Sequence, residues 1–151
     1  MDEVVHAILD SINRKIEIDL RRASFHKRNF LLVNFLYRTG GEIDEVRMLK
    51  PIDINLSTNS VRIVTLKQKK DKKTQVSKKE YRVIPMHTTL RDAYMQYLVE
   101  INISQKSNEL LFPMPRQVID LYLKRRGANV GIKDVHAHKL RHTFAVKAIM
   151  D

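Results

Sequence analysis

Two short runs rich in β-branched and aromatic residues, VRIVTL at positions 61 to 66 and YRVIPM at 81 to 86, lie on either side of the stretch KQKKDKKTQVSKKEYR, which runs from Lys67 to Arg82. Runs of that composition favour strands. From Lys67 to Arg82 there are seven lysines and one arginine against Asp71 and Glu80, with no apolar periodicity. The expected arrangement is therefore an antiparallel pair closed by a long lysine-rich loop. An earlier run, Ile52 to Asn55, supplies the first strand of a small three-stranded antiparallel sheet.

The rest of the chain carries helical spacing. Val4, Val5, Ile8, Leu9 and Ile12 recur at three and four residues, which predicts a helix from about Asp2 to Lys15. Phe30 to Tyr37 is apolar enough for a buried helix, and Thr39-Gly40-Gly41 ends it with glycines suited to a left-handed cap. A short helix is expected from Glu42 or Ile43 to about Leu49, before Pro51. Leu90, Tyr94, Tyr97 and Leu98 mark another, and Val118, Leu121 and Tyr122 a further one running into KRRG at 124 to 127. The last helix begins near His136. Helices before and after one block of strands predict a mostly helical α+β fold. With 151 residues, 43% of them hydrophobic, and no repeat or low-complexity linker, the chain reads as a single domain over 1–151.

Charge narrows the partners. Lys and Arg number 28 against 17 Asp and Glu, a formal charge of +11 with a pI near 10.0. A field of that sign attracts polyanions, nucleic acid first and an acidic membrane surface second. The lysine-rich link is either a solvated, extended loop or one that orders on a phosphate backbone. The absence of cysteine rules out disulfides and Cys-based zinc sites. No apolar run approaches the ~20 residues of a membrane span, and the acidic start MDEVVHAILD is unlike a secretory signal. The expected setting is cytoplasmic.

The closing segment HAHKLRHTFAVKAIMD, positions 136 to 151, concentrates the chemistry. On a helix, His138 and Arg141 share a face, while Leu140, Phe144, Ala148 and Ile149 supply an apolar side. An arginine fork matches two phosphate oxygens, and an imidazole beside it adds a donor. His138 and His142 also stand at the spacing that presents two imidazoles to zinc, with His136 as a third candidate. Lys139 occupies the place where zinc proteases carry Glu, and its charge argues against a metal.

These eight residues, His138-Lys139-Leu140-Arg141-His142-Thr143-Phe144-Ala145, resemble the H-x-L-R-H-T-F-A signature of the tyrosine recombinases, or phage-type integrases. Three further segments follow in order. Thr39-Gly40-Gly41-Glu42-Ile43-Asp44-Glu45-Val46, with Leu49 and Asp53-Ile54, is similar to T-G-x-R-I-x-E-L, L and D-I. Lys67 opens a hairpin like the one that bears the family's catalytic lysine, and Arg82-Val83-Ile84-Pro85 is similar to R-x-[IV]-P. Leu111-Phe112-Pro113 resembles the short L-F segment upstream of the signature.

The resemblance covers about positions 3 to 151 and implies a DNA breaking and rejoining enzyme. In that scheme a tyrosine attacks the phosphodiester to give a 3′-phosphotyrosyl link. Arg141 and His138 stabilise charge on the non-bridging oxygens, and Lys67 protonates the leaving 5′-oxygen. No metal or other cofactor takes part. Lys69, Lys70, Lys72, Lys73, Arg82 and Lys139 are the expected contacts to double-stranded DNA, on which full-length members assemble as tetramers. There are two departures. Glu42 stands where the family has its first catalytic arginine, and the five tyrosines, at 37, 81, 94, 97 and 122, all precede His138. The resemblance thus implies part of a catalytic domain, without its DNA-clamping N-terminal domain and tyrosine helix, inactive and monomeric alone. A DNA-binding relic or regulator is the alternative.

Overall fold

The computed structural model describes residues 2–19, 22–65, 80–101, 108–140 and 142. Helix α1, Asp2–Ile18, buries Val5, Ile8, Leu9 and Ile12 as its periodicity dictates. It runs one turn beyond the expected end, into residues with no apolar pattern. Helix α2, Ala23–Thr39, starts seven residues before its apolar stretch. Its first half is hidden in the sequence because its buried positions, His26 and Asn29, are polar. Gly40 follows at φ 67°, the left-handed conformation that glycine adopts without a Cβ penalty.

Helix α3 is short, Ile43–Arg47, and ends two residues before Leu49. Residues Pro51–Asp53 form a 3₁₀ turn, closed by the Lys50 N–H donating to the Asp53 carboxylate at 3.0 Å. The first strand is therefore only Ile54–Asn55, shorter than the expected 52 to 55. This β1 pairs antiparallel with β2, Ser60–Thr65, which pairs antiparallel with β3, Glu80–Pro85, in the order β1-β2-β3. Residues 66–79 connect β2 to β3 and lie outside the described residues.

Helix α4, Thr88–Ile101, and helix α5, Arg116–Asn129, follow the sheet, and residues 137–140 form a last helical turn. Helix α2 is central, packed on α1 and α4. Around it the core collects Phe35, Phe112, Tyr94 and Leu90 with Val61 and Ile63 from β2. Strand β3 is an edge strand, with Tyr81 and Val83 exposed. Among the described residues no helix is long and apolar enough to cross a membrane. The fold is the mostly helical α+β arrangement expected, with helices before and after one small sheet.

Candidate functional site

The α2–α3 turn builds one wall of the main cleft. The Gly41 N–H donates to Thr39 Oγ1 at 3.2 Å, and a Cβ on Gly41 would stand 3.1 Å from Val46 Cγ2, so the chain turns here at close quarters. Glu42 then caps α3, and its N–H donates to Glu45 Oε1 at 2.9 Å, half of the reciprocal pattern that S/T-x-x-E boxes use.

Glu45 is buried, 3% exposed, and a carboxylate there needs charge compensation. Arg82 on β3 supplies it, with Nη2 donating to Oε1 at 2.8 Å and Nη1 to Oε2 at 3.3 Å. Arg82 Nη1 also donates to Thr65 Oγ1 at 3.1 Å. One guanidinium therefore ties α3 to the ends of both strands from which the lysine-rich link departs. Two of the nitrogens of Arg82, a residue expected to contact DNA, thus face protein oxygens.

The other wall comes from α5 and the segment after it. Gly127 lets the chain fold back closely: a Cβ there would fall 2.5 Å from Val135 Cγ2. The Gly127 carbonyl accepts from Val130 N–H at 3.0 Å and Ile132 N–H at 2.8 Å, closing the turn. Gly131 and Asp134 reverse the backbone at φ 81° and 60°. His136 O then accepts from Lys139 N–H at 3.1 Å and begins the final helical turn. The buried side chains of Val135, Ala137 and Leu140 anchor that segment, leaving His138 exposed. The His136 and His138 rings stack, with centroids 6.3 Å apart at 10°.

Between these walls lies a cleft of about 440 Å³ lined by Glu42, Asp44, Arg116, Asp120, His136 and His138 among others. The fold thus brings His138 and Glu42 together from opposite ends of the sequence. Arg116 Nη1 lies 3.5 Å from Asp44 and its Nε 3.9 Å from Asp120, while Arg47 holds Asp44 at 2.9 Å. The described part of the lining therefore carries three carboxylates and one guanidinium besides the two imidazoles. Neither Arg38 nor Arg47 takes the place of an arginine at 42. Arg38 Nε donates to Asn34 Oδ1 at 3.2 Å and Arg47 Nε to the Met114 carbonyl at 2.8 Å.

The remaining expected residues divide. Lys67, Lys69, Lys70, Lys72, Lys73 and Arg141 lie outside the described residues. Lys139 is half-buried beside His138, and His142 is exposed. Among the described residues no three His, Asp or Glu side chains converge on a point where a metal ion could sit. Arg116 and Asp120 carry no sequence signal, since only the tertiary fold sets them in one cleft with His138.

The profile of the phage integrase family matches residues 2–149. The chain belongs to the phage integrase family. Among family members, the tyrosine recombinase XerC of Staphylococcus epidermidis is 29% identical over 129 residues, 78% of this chain and 39% of the relative. XerC of Roseiflexus castenholzii is 28% identical over 148 residues, 89% of this chain and 43% of the relative. The chain therefore spans about two fifths of the length of the curated relatives it matches. Its fold is shared with the crystal structure of XerA recombinase, TM-score 0.71 at 20% identity over 99% of this chain and 48% of that one. It is shared also with XerH site-specific recombinase bound to its difH substrate, TM-score 0.69 at 24% identity over 97% and 41%.

Proposed function

We propose that this chain is the DNA-binding core of a site-specific tyrosine recombinase, and that the Glu42–His138 cleft is where the scissile phosphate sits. The observation that carries the reading is the meeting of the T-G-x segment with the H-x-x-R segment across one cleft, in a chain of formal charge +11. In-line attack loads negative charge on the non-bridging oxygens. His138 would donate a ring N–H to one of them and Arg141 its fork to both, while Lys67 protonates the leaving 5′-oxygen. Lys69, Lys70, Lys72, Lys73 and Lys139 hold the backbone. Arg82, tied to Glu45 and Thr65, stands at the edge of that surface, where its remaining donor capacity would face DNA.

The nucleophile in this reading comes from outside the cleft wall described. None of the five tyrosines lines it: Tyr37, Tyr94 and Tyr97 are buried in the core, Tyr122 faces another hollow and Tyr81 is on β3. The 151 residues alone are then inactive, and a tyrosine-bearing helix joins them in the working assembly. A specific observation favours the second reading, a DNA-binding relic: Glu42, Asp44 and Asp120 place three carboxylates where a phosphate should be welcomed. At low local dielectric such charges oppose the phosphate strongly.

Covalent trapping decides between the two. This chain with a nicked target duplex should give no adduct. The polypeptide extended to include a tyrosine-bearing helix, with Glu42→Arg, should give a 3′-phosphotyrosyl adduct that survives EDTA. Arg141→Ala should abolish it, through loss of roughly 3 to 4 kcal/mol of oxyanion stabilisation. No adduct from the extended protein on its own site leaves the relic standing.

A further inference from the structure

Arg116 opens helix α5, where the helix itself gains nothing from it. The first turn of a helix favours acidic side chains and opposes cations, and that of α5 has no acidic residue. Asp120 stands one turn on, but its carboxylate lies 3.9 Å from Arg116 Nε. The other neighbour, Asp44 Oδ2, is 3.5 Å from Arg116 Nη1. A charge-assisted hydrogen bond is about 2.7 to 2.9 Å long, so Arg116 is held to both by charge alone. Arg47 and Arg82 are seated differently, donating to Asp44 Oδ1 at 2.9 Å and to Glu45 Oε1 at 2.8 Å. Asp44 is therefore already engaged through its other oxygen. With the Arg116 side chain 57% exposed, its two long contacts contribute little and release the guanidinium cheaply.

That guanidinium shares the cleft of about 440 Å³ with Glu42 and His138. The volume falls within the usual range of ligand pockets. At position 42, where the resemblance sets an arginine, the α2–α3 turn presents a carboxylate. From the other wall, α5 presents a planar fork of N–H donors, which matches two oxygens of one phosphate in charge and in geometry. Asp44 and Asp120 keep the fork at the cleft without satisfying it, and a phosphate that takes two of its N–H groups at full hydrogen-bond distance displaces both contacts.

We propose that Arg116 grips the non-bridging oxygens of the phosphate beside His138, so that α5 delivers the guanidinium that the α2–α3 turn lacks. This rests on the cleft being the phosphate seat. NMR of the 151-residue chain tests it, with sodium dimethyl phosphate as the phosphodiester probe and ionic strength held constant with sodium chloride. The His138 ring and the Arg116 Nε–H should shift saturably with one midpoint. Arg116→Gln should raise the midpoint read at His138 about tenfold, the loss of one charge-assisted contact. Arg116→Lys should recover only part of that, because an ammonium keeps the charge without the fork. Arg62→Gln, which removes an equal charge outside the cleft, should leave the midpoint unchanged. Glu42→Arg should lower it more in the Arg116→Gln chain than in the parent. A midpoint unmoved by Arg116→Gln, or raised equally by Arg62→Gln, overturns the role of Arg116 and leaves the cleft a phosphate seat. So do equal gains from Glu42→Arg in the two chains. Full recovery by Arg116→Lys makes the residue a latch between α3 and α5, since an ammonium still pairs with Asp44, and overturns the grip. No saturable shift at His138 overturns the phosphate seat itself.

Discussion

Glu45 and Arg82 show how one ion pair can organise a site without touching it. The Glu45 side chain is 4% exposed and that of Arg82 35%, so solvent screens the pair from one side only. Removing Arg82 takes a cation from a buried carboxylate, which is worse than removing both partners. Arg82→Met should therefore lower stability by roughly 2 to 4 kcal/mol, and the Arg82→Met/Glu45→Gln double variant by less than the sum of the singles. Denaturant melts of the three variants measure this; additive losses would mean that the pair is solvent-screened. Tyr94 poses the opposite case, a fully buried hydroxyl with no partner among the described residues. Tyr94→Phe should keep stability or raise it by up to about 1 kcal/mol. Burial raises its pKa from 10.0 to about 12, so the native state holds this proton where the unfolded chain has lost it. Stability from this group is full below pH 10.0 and falls as pH rises towards 12. Thermal melts across that range should show a shallower alkaline loss in Tyr94→Phe.

At the scale of elements, α5 is the hinge of the site's geometry, because it lines the cleft and its end sets the course of the chain to His138. Alanine is a better helix former than glycine by about 1 kcal/mol, so Gly127→Ala would stabilise an isolated helix. Here the new Cβ would meet Val135 Cγ2 at 2.5 Å and Cβ at 2.9 Å, with the Ile132 carbonyl 3.1 Å away. Overpacking of that kind costs about 1 to 3 kcal/mol and wins. Gly127→Ala should lower Tm, and adding Val135→Ala should recover part of the loss. A Tm above the parent's would show that the turn after α5 gives way cheaply.

For the whole molecule, the charge of +11 decides how DNA would be held. Lysines paired with phosphates release counterions, so affinity should fall steeply with salt and depend little on sequence. Replacing Lys69, Lys70, Lys72 and Lys73 with Ala should flatten the log–log salt slope by roughly 2 to 4 units, since each phosphate that a lysine neutralises adds about 0.9. An unchanged slope, measured by fluorescence anisotropy across a salt series, would put the DNA on other cations. Glu42→Arg should tighten binding of DNA or sulfate more than Glu17→Arg, the same charge change on the exposed part of α1. Equal gains would mean that net charge alone matters and that the cleft holds no phosphate.

Apolar periodicity makes α1 and α4 legible, the Gly40-Gly41 pair the end of α2, and the β-branched runs around the lysine-rich link the sheet, because each signal is local and follows the repeat of its own element. The family resemblance alone suggests one site for Glu42 and His138, and both residues line the cleft. The first half of α2 is illegible, since polar residues at buried positions look the same in sequence as polar residues in water. So is the partner of Arg82: the Glu45 carboxylate is brought to 2.8 Å from it only by packing α3 against the sheet. Arg116 and Asp120 likewise acquire meaning only when helix packing puts them in the cleft with His138. What a side chain buries is written in its neighbours along the chain, whereas what it binds depends on distances that only the folded packing decides.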